Sequence, residues 1–234
     1  MKRIWASAMG LVLLAGCQSE PASPSSEQPA AAAAPAPRGE EIPILALGDS
    51  LFAGYGLEPG QSYPSRLEAE LQRRGINARI ANAGVSGDTT AGGLQRLDFA
   101  LSGQARPPVL VIISLGGNDM LRGLSPAETR ANLDAILTRL GERKIKALLL
   151  GMLAAPNLGA DYRGKFDPIY PQLAKKHDAA LVPFFLQPLI DKPQLIQADR
   201  IHPTLEGIDL LVADTVEEVE GALPVSPGAE QNPR

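Results

Sequence analysis

The chain has 234 residues, enough for one domain with tails rather than two, and 44% of them are hydrophobic, as in a protein with a full core. Aromatic residues make up only 4%, so Leu, Ile, Val and Ala must fill that core. A formal net charge of -4 leaves no basic footprint for nucleic acid and suggests no polyanionic partner.

Residues 1–16 read as an export signal. Lys2 and Arg3 precede a short apolar run, 8–16, that ends in small residues. A bilayer span needs about 20 apolar residues, so this run suits a cleaved leader instead. Leu14-Ala15-Gly16-Cys17 resembles the lipobox of bacterial lipoproteins, where the cysteine is acylated and becomes the new N-terminus. A plain secretory leader with an incidental cysteine is the alternative. Cys17 is the one cysteine, so it forms no intrachain disulfide, and it stands where lipidation requires it. Gln18 after it, rather than Asp, resembles lipoproteins sent on to an outer membrane. The expectation is an exported protein, lipid-anchored at the periplasmic face of the outer membrane.

The rest of 17–40 is rich in Pro, Ala, Ser, Gln and Glu, cannot bury a core, and reads as a spacer. A folded domain is expected over 41–223, with a disordered tail at 224–234. Inside the domain, runs 42–47, 78–83, 109–115, 147–153 and 180–185 read as strands. Several are continuously apolar, as parallel strands buried on both faces require. Helical patterns fill 63–74, 90–101, 126–143, 167–176 and 205–223. The third starts with Ser125 as N-cap, Pro126 at N1 and Glu128 completing a capping box. Strand–helix alternation repeated five times predicts a parallel sheet with helices on both faces, and ligands then bind outside the carboxyl ends of the strands.

Four segments fall at such ends or before the last helix: Gly48-Asp49-Ser50, Ser86-Gly87-Asp88, Gly116-Gly117-Asn118-Asp119 and Asp199-Arg200-Ile201-His202-Pro203. The sheet should gather all four at one edge. A serine hydroxyl needs an adjacent base to become a nucleophile. His202 can take that proton, and Asp199, across a tight turn, can hold the other ring N–H. Pro203 biases His202 away from helical backbone angles. His177 ends a helix beside Lys176, where a cation suits the dipole, and receives no catalytic role. Asp49, Asp88 and Asp119 allow a rival reading as metal ligands of a phosphoesterase; the alternative is that they fix loops through backbone N–H groups. The Gly-x-Ser-x-Gly elbow of α/β-hydrolases is absent.

These four blocks, in this order, resemble the SGNH, or GDSL, hydrolase family. Asp88-Thr89-Thr90, residues 118–123 and Ile169-Tyr170-Pro171 are similar to its bacterial thioesterase I/lysophospholipase L1 and arylesterase group. The resemblance implies a three-layer α/β/α sandwich with a five-stranded parallel sheet of flavodoxin-like topology. It implies Ser50 as nucleophile, Asp199 and His202 as its partners, and an oxyanion hole from the N–H groups of Ser50 and Gly87 and the amide of Asn118. It implies hydrolysis of a small acyl ester, thioester or lysophospholipid through an acyl-serine, with no metal and no organic cofactor. A carbohydrate O-acetylesterase of the cell envelope and a lipoprotein that only binds in the cleft are the alternatives. The stretch 152–159 resembles the loop lining the acyl pocket in this group, with Ala154 and Ala155 leaving room. One departure is visible: Arg200 stands where close relatives have glycine, which places local shape and charge at the pocket rim in question.

Overall fold

The structure, a computed structural model, describes residues 38–224; the leader, Cys17, most of the spacer and the end of the tail lie outside the described residues. Five strands, β1 (Arg38–Gly48), β2 (Ile76–Gly84), β3 (Leu110–Ser114), β4 (Lys146–Leu150) and β5 (Ala180–Val182), form one parallel sheet in the order β2-β1-β3-β4-β5. Continuously apolar β3 is buried along its whole length, as its composition requires of a strand covered on both faces.

Eight α-helices accompany it among the described residues: α1 (Ser50–Ala53), α2 (Tyr63–Arg73), α3 (Thr90–Ser102), α4 (Gly117–Leu121), α5 (Pro126–Glu142), α6 (Gly159–Phe166), α7 (Ile169–His177) and α8 (Leu205–Ala222). Helices α2 and α8 pack together on one side, and α3, α5 and α7 on the other, which makes three layers. The strand order is the flavodoxin-like one. Chain leaves β1 for β2 on one side of it and reaches β3 on the other, so the topological switch point lies at the carboxyl end of β1, where Ser50 follows.

Local sequence explains the close quarters there. Helix α1 begins one residue after Asp49 and folds back over the strand ends. A Cβ at Gly48 would stand 2.5 Å from the Phe52 ring, and one at Gly84 would stand 2.3 Å from the Ala53 nitrogen. Only glycine lets the helix sit this low. Phe52 then stacks on Tyr63 at a centroid distance of 5.4 Å, Tyr63 meets Phe185 edge-on, and the Tyr63 hydroxyl is 2.7 Å from Thr215 Oγ1. This buried cluster fixes α1 against α2 and α8.

Some boundaries differ from expectation. Strand β1 starts at Arg38 rather than 42. β4 stops at Leu150 and β5 at Val182, because the apolar composition runs on after strand pairing has ended. The segment 159–166, which lies outside the helical patterns of the sequence, is α6. Ser125 does cap α5, but its hydroxyl accepts from Ala127 N–H at 3.2 Å, and Glu128 N–H bonds to the Ser125 carbonyl.

Candidate active site

All four expected segments meet at the carboxyl edge of the sheet, around a cavity of about 440 Å³ lined by Asp49, Ser50, Gly87, Asn118 and His202 together with apolar side chains. Ser50 is the first residue of α1, and Asp49 caps that helix by accepting from Leu51 N–H at 3.0 Å. His202 Nε2 lies 2.8 Å from Ser50 Oγ. Its Nδ1 lies 2.6 Å from Asp199 Oδ2. A carboxylate accepts only, so Nδ1 carries the proton and Nε2 is left to accept from the serine.

The Asp199 turn is built by the same carboxylate. Oδ1 accepts from the N–H groups of Ile201 (2.9 Å) and His202 (3.0 Å), while Oδ2 holds the imidazole. The His202 ring and these two N–H groups hold the Asp199 carboxyl down at about 2. Arg200, the residue inside the turn, has φ 61, a left-handed conformation that costs a residue with a Cβ about 1 kcal/mol. Glycine would adopt it freely. Arg200 therefore keeps the geometry of the turn and adds an exposed cation to the cavity lining.

Of the three expected oxyanion donors, the N–H groups of Ser50 and Gly87 make no hydrogen bond among the described residues. Gly87 has φ 83, which glycine tolerates. Arg122 Nη2 donates to its carbonyl at 2.6 Å, and Arg96 bonds both Asp88 Oδ2 (2.6 Å) and the Gly48 carbonyl (2.9 Å), tying the β1 and β2 loops together. Asn118 differs. Its amide donates to the Asp88 carbonyl at 2.9 Å and to Asp49 Oδ2 at 3.2 Å, so both protons are engaged. It can reach a developing oxyanion only by giving up one bond, and the longer one to Asp49 is the weaker. Asp49 is almost fully buried, and burial pushes its carboxyl up to about 6 against the opposing pull of Leu51 N–H, nearby His202 and Asn118.

The three aspartates of the metal reading turn to separate tasks. Asp49 caps α1, Asp88 pairs with Arg96, and Asp119 accepts from Thr90 N–H (2.8 Å) and from the hydroxyls of Thr90 and Thr129. Among the described residues no group of three or more His, Cys, Asp or Glu side chains is placed to hold a metal ion. His177 lies away from the cavity and pairs with Asp134, as does Lys176.

Two residues at the site carry no motif that singled them out. Tyr55 stacks on the His202 ring at a centroid distance of 4.4 Å, although its own side chain is half exposed. Gln197 straps the two loops together: its Nε2 donates to the carbonyls of Tyr55 (2.9 Å) and Pro203 (2.8 Å), and its N–H donates to the His202 carbonyl at 2.7 Å. An aromatic residue shortly after the nucleophile was a possible signal for Tyr55. Gln197 had none. The apolar part of the cavity is lined by Leu51, Met120, Leu121, Met152, Leu186 and Ile201. Of the stretch 152–159 only Met152 lines it; Ala154 is buried, with its N–H bonded to Asp167.

The chain is similar to several known proteins. A model of the GDSL-like lipase/acylhydrolase family matches residues 46–210. Esterase TesA of Pseudomonas aeruginosa is 41% identical over 162 residues, covering 69% of this chain and 80% of the relative. The thioesterase 1/protease 1/lysophospholipase L1 of Escherichia coli K12 is 39% identical over 164 residues, covering 70% of this chain and 76% of that protein. The crystal structure of AlinE4, an SGNH-hydrolase family esterase, superposes with a TM-score of 0.68 at 61% identity, over 80% of this chain and 99% of AlinE4.

Proposed function

We propose, since the chain belongs to the GDSL-like lipase/acylhydrolase family and is an ester-hydrolysing enzyme, that Ser50, His202 and Asp199 carry its reaction. The observation that carries the assignment is the unbroken relay from Ser50 Oγ through His202 to Asp199, at 2.8 and 2.6 Å. Ser50 Oγ attacks the ester carbonyl as His202 Nε2 takes its proton, and Asp199 stabilises the resulting imidazolium. The N–H groups of Ser50 and Gly87, joined by the Asn118 amide, hold the oxyanion. His202 then returns the proton to the leaving group, leaving an acyl-Ser50 ester. Water, activated by the same histidine, releases the acid. No step calls on a metal or an organic cofactor. Two variant structures of AlinE4 have a serine and an aspartate changed to alanine, at the same separation as Ser50 and Asp199, which supports the assignment.

The apolar lining and the cavity volume suit an acyl chain of short or medium length, as carboxylic ester or thioester. The thioesterase/lysophospholipase name of one relative supports the thioester and lysophospholipid options. A carbohydrate O-acetylesterase would use the same triad; the apolar walls favour longer acyl groups, and a chain-length series on one chromogenic alcohol separates the two. Ser50→Ala is the decisive variant: p-nitrophenyl butyrate hydrolysis should fall to background, and retained turnover would remove the assignment. Outside the described residues, the lipobox-like Leu14-Ala15-Gly16-Cys17 supports export and a lipid anchor on Cys17, with the domain held on its spacer at the periplasmic face of the outer membrane. No helix among the described residues is long and apolar enough to cross a membrane.

A further inference from the structure

Arg200 is conspicuous in both backbone and charge. It occupies a left-handed backbone position that a glycine would fill without strain, yet it carries a long cationic side chain. Of the residues lining the acyl cavity only Asp49 and Arg200 are charged at neutral pH, and Asp49 is buried and bonded to Leu51 and Asn118. The remaining walls are apolar or neutral. Among the described residues the Arg200 guanidinium makes no ion pair and no hydrogen bond, and the carboxylate beside it, Asp199, is already committed to Ile201 and His202. An unpaired guanidinium at a cavity mouth is a ready donor for an oxyanion such as a carboxylate or phosphate.

Chemistry tells which part of a substrate would meet it. The proton that His202 Nε2 takes from Ser50 must be delivered to the leaving oxygen, so the alcohol portion lies on the histidine side of the scissile bond. Arg200 stands two residues before His202 in the same turn and lines the same cavity.

We propose that Arg200 is a specificity residue that selects esters whose leaving alcohol carries an anionic group. The proposal rests on the Ser50–His202 reading of the site and names the substrate class for it. It needs no new bond chemistry: the charge adds binding to the ester already being cleaved.

A matched pair of esters tests it on the full-length protein: 4-(butanoyloxy)benzoate, anionic on the alcohol side, and its neutral methyl ester. Arg200→Asn removes the charge while keeping a residue that tolerates the left-handed position; Arg200→Gly controls for the backbone, and Arg200→Lys keeps the charge. The ratio of kcat/KM for the anionic over the neutral ester should fall about fivefold to tenfold in Asn and Gly, remain near wild type in Lys, and fall further in Arg200→Glu. In wild type the ratio should shrink as salt is raised toward 1 M, where the screening length is about 3 Å. Equal losses on both esters would show a merely structural Arg200 and overturn the proposal. So would a loss confined to mono-4-nitrophenyl succinate, whose charge sits on the acyl side. Wild-type failure on every ester, the neutral one included, would instead overturn the underlying esterase site.

Discussion

Asp49 is the residue on which a pH experiment turns. Its carboxyl stands immediately before Ser50, buried to 2% exposure, with one oxygen on Leu51 N–H and the other on the Asn118 amide. Burial raises it from an ordinary 3.8 to about 6. At 1.36 kcal/mol per pH unit that rise corresponds to about 3 kcal/mol. Between those two values the folded chain binds a proton that the unfolded chain has released. The stabilisation from that proton is complete below pH 3.8 and is lost as pH rises through about 6. Asp49→Asn does not titrate there. Urea unfolding at a series of pH values should therefore show the variant gaining on wild type by about 2 kcal/mol between pH 4 and pH 7, the rest lying below pH 4. A stability gap that is the same at both ends would refute the buried-carboxylate account. The variant also presents an amide N–H₂ to the Asn118 amide, donor against donor, so kcat for p-nitrophenyl butyrate should drop about tenfold with a smaller change in KM, as expected for a misplaced oxyanion donor.

Three further perturbations separate the remaining roles. Asp199→Asn keeps an acceptor for Ile201 and His202 N–H groups but not for the His202 ring, so kcat should fall by about 10³ to 10⁴, as in the chymotrypsin triad, with the melting temperature little changed. Because Asp199 is held at about 2, it stays ionised across pH 4–8, so its own titration adds no limb to the pH–activity profile in that range. Tyr55→Ala removes the ring stacked on His202; kcat/KM should fall about fivefold while Tyr55→Phe restores it, and an Ala variant with wild-type kinetics would deny the ring any positioning role. Cys17→Ser should block palmitate incorporation and free the protein from the membrane fraction; unchanged membrane association would remove the lipid anchor.

The legibility of this chain follows its physics. The strands themselves were readable because several are continuous apolar runs, and the sheet then dictates where their loops converge. Strands β4 and β5 are shorter than the apolar runs for the same reason: Met152 and Phe185 serve the core after strand pairing has stopped. Helix α6 escaped notice because Gly159 and Gly164 weaken its propensity and no side chain caps its start; it is held by tertiary contacts, such as the Tyr162 hydroxyl donating to the Leu124 carbonyl at 3.0 Å. Gln197 was invisible since its partner, Tyr55, lies 142 residues away and the bond runs to a backbone carbonyl. The double engagement of Asn118 was equally hidden. It depends on where the Asp88 carbonyl points, which no side-chain pattern encodes.

The spacing in Asp-x-x-His also acquires a physical meaning. One carboxylate serves two backbone N–H groups with one oxygen and the imidazole with the other, and the tight turn from Asp199 to His202 brings all of them within 3.0 Å. The first intervening residue has to accept a positive φ, so that position is restricted even though its side chain forms no hydrogen bond with the triad. The second, Ile201, gives its N–H to the turn and its side chain to the pocket wall. Neither x is free in the backbone, but the first is free in its side chain. Backbone geometry there is tied to the Asp199–His202 hydrogen bonds, while the side chain that projects from it lines the cavity. A substitution at 200 that tolerates the left-handed conformation can therefore alter selectivity without disturbing the reaction.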